Sequence, residues 1–175
     1  MTTLSLHREH GIAANDPPRL LRGIEAGIVG GFAMLALLIL GSLLRGRVWW
    51  EIPNVLGSTF YGSRAFRSGV SMATLSGAAL HFVITGCIGG IFGLACGGIR
   101  ERKRLVLLGI FAGVVWYYLG LAVFWSRINP WVPVFSSQPI TIISHALFGA
   151  CLGRMGHKLE PLEPVPPASA RDAVE

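Results

Sequence analysis

His81 and His145 are the histidines set inside long apolar runs of this 175-residue chain. An ionisable side chain is expensive in hydrocarbon, so at such a position it needs a partner or a task. Three chemistries suit an imidazole there. It can hydrogen-bond another helix, with Thr85, Tyr117, Tyr118 and Ser144 as candidate partners. It can line a site for a solute or a proton, because histidine titrates near neutrality. It can ligate a haem iron between two helices. Height argues against the third. His81 stands 19 residues before Arg100 and His145 stands 9 before Arg154. If those arginines mark one membrane face, the two rings differ in height by roughly 15 Å, too far for one iron. The polar layer expected from the sequence is therefore His81, Thr85, Tyr117, Tyr118, Ser144 and His145, with no cofactor.

Enzymatic signatures are absent. There is no HExxH, no GxSxG, no phosphate-binding loop and no carboxylate pair within an apolar run; Glu25 lies at the edge of one. "GCIGGIFGLACGG" is glycine-rich but lacks the following Lys-Ser/Thr. Cys87, Cys96 and Cys151 are odd in number and sit in apolar runs, without a CxxC. They read as small hydrophobes rather than a disulfide framework or redox pair. No catalytic or metal-ligating set is expected.

The elements that must hold the histidines are apolar throughout. Hydrophobic residues make up 52% of the chain and charged ones 14%, and mean hydropathy is +0.58. Soluble domains carry about a quarter charged residues, so lipid must cover part of this surface. The net charge is +6. Without an aromatic-interleaved basic patch, that excess reads as flanking charge that orients spans, not as a nucleic-acid site. Four uncharged runs supply spans over about residues 24–44, 70–98, 105–126 and 137–153, most near the ~20 residues that cross a bilayer. Residues 1–18 read as a flexible N-terminus closed by an Asp16-Pro17-Pro18 helix start, and 157–175 as a disordered Pro-rich tail. Lys and Arg cluster before the first run, in "RERKR" at 100–104 and after the last. This places both termini in the cytoplasm of a bacterial inner membrane.

Residues 45–69 form the first outer loop. Trp49, Trp50, Trp125 and Trp131 share the outer side, as ring-anchored indoles at headgroup level would. Val55, Leu56, Thr59 and Phe60 recur at helical spacing after Pro53 and Asn54, which predicts a short interfacial helix. Glu51 is expected to pair with a nearby arginine. The loop is either a connection anchored by aromatics or an element that lines a site.

Small residues recur four apart on every span: Gly23, Gly27 and Gly31; Gly86 with Gly90, Gly89 with Gly93 and Gly93 with Gly97; Gly109 and Gly113; Gly149 and Gly153. With little hydrophobic drive between helices in lipid, close backbone approach must supply packing. Some of these faces could instead dock a second copy or a larger membrane complex. The chain also repeats itself. "GIVGGFAM" at Gly27 matches "GIFAGVVW" at Gly109, "RVWWEIP" at Arg47 matches "RINPWVP" at Arg127, and "HFVITGCIGG" at His81 matches "HALFGACLG" at His145. Two parallel span–loop–span hairpins follow, related by an axis along the membrane normal.

The pieces "GIVGGFAM", "HFVITGCIGGIFG" and "SHALFGACLG" resemble small bacterial four-span inner-membrane proteins of unknown activity. The resemblance implies an integral membrane four-helix bundle and carries over no functional residue. The expected function is that of a non-enzymatic accessory or interaction subunit. The alternative is a small transporter or channel subunit with a mid-membrane His/Tyr layer, and haem-binding redox chemistry comes third.

Overall fold

The computed structural model describes residues 17–99, 101–136 and 139–155, all helices and short connections. In chain order these are α1 (Pro17–Leu44), α2 (Glu51–Tyr61), α3 (Arg64–Arg67), α4 (Met72–Cys96), α5 (Arg102–Leu119), a π-helical stretch (Gly120–Trp125), α6 (Ser126–Ile128), α7 (Trp131–Ser136) and α8 (Pro139–Met155). Asp16, Arg100 and the tail at 157–175 lie outside the described residues. Of the stretch expected to be loose over 1–18, residues 17 and 18 are helical, because proline suits a first turn whose N–H groups have no intrahelical acceptor.

Among the described residues three helices are long and apolar enough to cross a membrane: Arg19–Leu44, Met72–Cys96 and Arg102–Ile128. Their outward faces carry large apolar residues such as Ile91, Leu107 and Phe111, 68%, 67% and 67% exposed. Water would oppose so many exposed hydrophobes, and hydrocarbon accepts them.

Local chemistry sets the helix ends. Gly46 adopts φ 71°, the left-handed region where a Cβ is penalised. From there the Gly46 N–H bonds the Leu43 carbonyl and the Arg47 N–H bonds that of Ser42, a Schellman closure of α1. At the start of α4, Ser71 Oγ accepts from the Ala73 N–H and the Ser71 N–H donates to Thr74 Oγ1, a reciprocal cap.

The helices join through bare backbone. A Cβ added at Gly27 would overlap the Thr85 carbonyl, and one at Gly23 would overlap that of Gly89. The α5–α8 seam repeats this, with Gly109 against Gly149 and Gly113 against the His145 carbonyl. Gly30 faces Phe148 and Cys151 where α1 meets α8, and Gly57 and Gly77 let α2 lie on α4. Gly86 and Gly90 differ from the expected packing role. Their neighbours are the side chains of Leu20, Ile24 and Ile28 rather than backbone.

The extensive contacts run in the order α4–α1–α8–α5, with α2 on α4. Contacting residues run in opposite senses at each of these long-helix seams, so neighbours are antiparallel. One apolar core joins Ala26, Met34 and Leu38 to Phe148 and Leu152. A second, formed by Val55, Trp125 and Val132, sits where α2 and α7 close over the helix ends.

Candidate functional site

Where α4 and α5 would meet to complete the ring, they instead face each other across a cavity of about 70 Å³. His81 and Thr85 reach it from α4, Tyr117 from α5 and His145 from α8. α2 and α7 cover it with Ile52, Val55, Val132 and Phe135. One buried water needs roughly 10–15 Å³. The space thus suits a solute of a few heavy atoms and is too small for a porphyrin.

His81 donates from Nε2 to the Gly31 carbonyl at 2.9 Å. That bond crosses to α1 and reaches backbone rather than a side chain, because Gly31 lets α4 approach. With Nε2 carrying hydrogen, Nδ1 of the neutral ring is left as an acceptor. Thr85 donates to its own helix, at the His81 carbonyl, 3.0 Å. His145 donates from Nδ1 to the Thr141 carbonyl at 2.7 Å, one turn back on α8, not to a partner helix. The neutral ring keeps Nε2 as its acceptor. Tyr117 stacks edge-on to His145, centroids 5.3 Å apart, and its hydroxyl forms no hydrogen bond among the described residues.

Two members of the expected layer lie elsewhere. Tyr118 is 59% exposed on the outward face of α5. Ser144 is fully buried and donates to the Thr141 carbonyl at 2.7 Å, outside the cavity lining. The 15 Å height difference also fails. His81 sits level with Gly31, while His145 falls between Ile140, which faces Gly41, and Phe148, which faces Gly30. Along α1 that is a separation of about 6 Å. The reason is that the C-terminal ends of α4 and α8 are not level. Gly97 reaches Arg19, whereas Gly153 meets Leu105 and Val106 and neighbouring Leu152 packs near Ala26, so α4 extends well past the end of α8.

The first loop does more than anchor. Glu51 accepts from Arg47 at 2.6 Å and from Ser42 Oγ at 3.1 Å. Trp49 and Trp50 meet edge-to-face, centroids 5.7 Å apart. Pro53 and Asn54 are buried. Asn54 Nδ2 is shared among the carbonyls of Ala65, Ser68 and Gly69 at 3.0–3.2 Å, and its Oδ1 accepts from Thr74 at 2.6 Å. Trp125 is 8% exposed and lines the cavity.

Sequence reasoning missed three contributors. Asn129 Nδ2 reaches Val55 O, Ser58 Oγ and Thr59 Oγ1 at 2.8–3.2 Å, tying the second loop to α2. Its place in the "RINPWVP" repeat was the available signal. The π-helical stretch, whose Gly120, Leu121 and Trp125 line the cavity, gave none beyond the glycine; such widened turns recur at functional sites. Arg45 lines the cavity as well, and its charge was counted only toward orientation.

Among the described residues no group of three or more His, Cys, Asp or Glu side chains is placed to hold a metal ion. The chain matches no protein-family model, no curated protein and no solved structure.

Proposed function

We propose that this is a four-span, non-enzymatic membrane protein that admits a small polar solute to the cavity between α4 and α5, as a small transporter or channel subunit. The observation that carries the reading is the convergence of His81, Thr85, Tyr117 and His145, from three helices, on one space. Each imidazole spends one nitrogen on backbone and keeps the other for a guest. α8 is the fourth span in this reading. It has 17 residues, yet it runs beside α1 from the level of Gly41 to that of Ala26, a depth of about 22 Å. An even number of crossings puts both termini on the "RERKR" side, the cytoplasm of a bacterial inner membrane, with α2 and α7 outside.

The two hairpins support descent from a duplication. α2 and α7 begin at Glu51 and Trp131, each four residues after the matched Arg47 and Arg127. Gly27 and Gly109 meet α4 and α8 at equivalent distances from His81 and His145. The symmetry is broken at one seam. α1 packs on α8, but its counterpart, α5 on α4, is held open by the cavity.

Cysteine labelling tests the reading. His81→Cys and His145→Cys, in a chain whose Cys87, Cys96 and Cys151 are replaced by alanine, should react with a small membrane-impermeant thiol reagent. Silence at both positions would end it.

An accessory subunit remains the second reading, favoured by the apolar outer groove floored by Gly86 and Gly90 between α1 and α4. The other glycine faces are consumed within the chain. Purification in mild detergent with Gly86→Ile beside the parent chain separates the two readings: a partner lost only from the variant marks a subunit.

A further inference from the structure

We infer that the cavity takes an anionic group, recognised by Arg45. This rests on the proposed solute cavity and names the class of its guest.

Arg45 and Arg47 flank Gly46, whose positive φ turns the chain between them. Arg47 leaves toward Glu51 and is neutralised there at 2.6 Å. Arg45 stays at the helix end. Its guanidinium folds back along α1, with Nη1 3.6 Å from where a Cβ on Gly41 would stand, and it lines the cavity. Arg45 is exposed, so its guanidinium stands at the water-facing rim of the cavity. Among the described residues Arg45 has no carboxylate within 4.0 Å.

The rest of the lining agrees in sign. Among the described residues no Asp or Glu lines the cavity, whose other polar residues are His81, Thr85, Tyr117, Ser136, Thr141 and His145. The Tyr117 hydroxyl is a free donor. A guest anion therefore meets a cation at the rim, a hydroxyl donor and no competing carboxylate among the described residues, beside apolar walls that strengthen the attraction. A guanidinium fork matches carboxylate or phosphate oxygens, and 70 Å³ limits the enclosed part to a few heavy atoms. Either a soluble anion or an acidic lipid headgroup offers that chemistry.

Trp116 and Trp125 line the same cavity and report on it. In full-length protein with Trp49, Trp50 and Trp131 changed to phenylalanine, held in an uncharged maltoside micelle, their fluorescence is quenched in turn by iodide, caesium and acrylamide at constant ionic strength. Iodide should quench several-fold better than caesium. The preference should vanish in Arg45→Gln and return in Arg45→Lys, with acrylamide quenching equal in all three. Relief of iodide quenching by acetate identifies a soluble guest; relief by phosphatidylglycerol alone identifies a headgroup. Equal quenching by iodide and caesium, or an Arg45→Gln protein that keeps the preference, overturns the anion assignment and leaves the solute cavity standing. Failure of acrylamide to quench removes the cavity reading, and this inference with it.

Discussion

Asn54 and Asn129 each use both ends of an amide on groups that would otherwise lose a partner. Asn54, on α2, fastens α3, the α3–α4 connection and the start of α4, and Asn129 fastens the second loop to α2. Both are 3% exposed, so truncation strands buried carbonyls and a hydroxyl rather than returning them to water. Asn129→Ala should cost about 2–3 kcal/mol and lower the thermal midpoint. It should also loosen the α2–α7 cover, read as faster hydrogen exchange at residues 51–61. Glu51→Gln makes a contrast. Its partner Arg47 is 43% exposed, so the pair contributes at most about 1 kcal/mol and the midpoint should barely move.

Among the elements, the glycines separate into two kinds that their spacing does not distinguish. Gly27 and Gly109 meet backbone across a seam, whereas a Cβ on Gly86 would meet Ile24 Cγ2 and Ile28 Cγ1 at 3.7 Å, ordinary contact. Gly27→Val and Gly109→Val should each destabilise by about 1–3 kcal/mol or more, since neither facing backbone can yield. Gly86→Ala should leave the midpoint unchanged. Thermal unfolding of the three variants in one detergent decides this, and equal losses would show that position on the helix does not matter. All of the glycine spacings were legible in the sequence; their partners were not. The period of 3.6 tells which residues share a face, and which face meets another helix depends on how that helix is rotated.

At the scale of the whole molecule, the α2–α7 cover and the open α4–α5 side belong together. An arrangement closed on all sides would leave no room between His81 and His145, and one without the cover would open that room at the helix ends. Tags inserted after Gly62 and between Arg102 and Lys103 should be accessible from opposite sides of the membrane, as protease protection of intact and inverted vesicles would report. Accessibility of both from one side would overturn the proposed four-span topology.

The sequence by itself determined the helical class, three helices among the described residues apolar and long enough to cross a membrane, the short helix after Trp50 and the Glu51–arginine pairing. Each of these follows from local composition, from spacing along one helix, or from the cost of placing a polar group in hydrocarbon. Only the tertiary structure decided that the histidines sit about 6 Å apart in height, that Tyr118 and Ser144 stand apart from them, that Asn129 closes the cover, and that Arg45 faces the cavity. Those facts depend on how far each helix slides and turns against its neighbour. In lipid that choice is made by backbone contact across the glycine seams, between residues far apart in the chain.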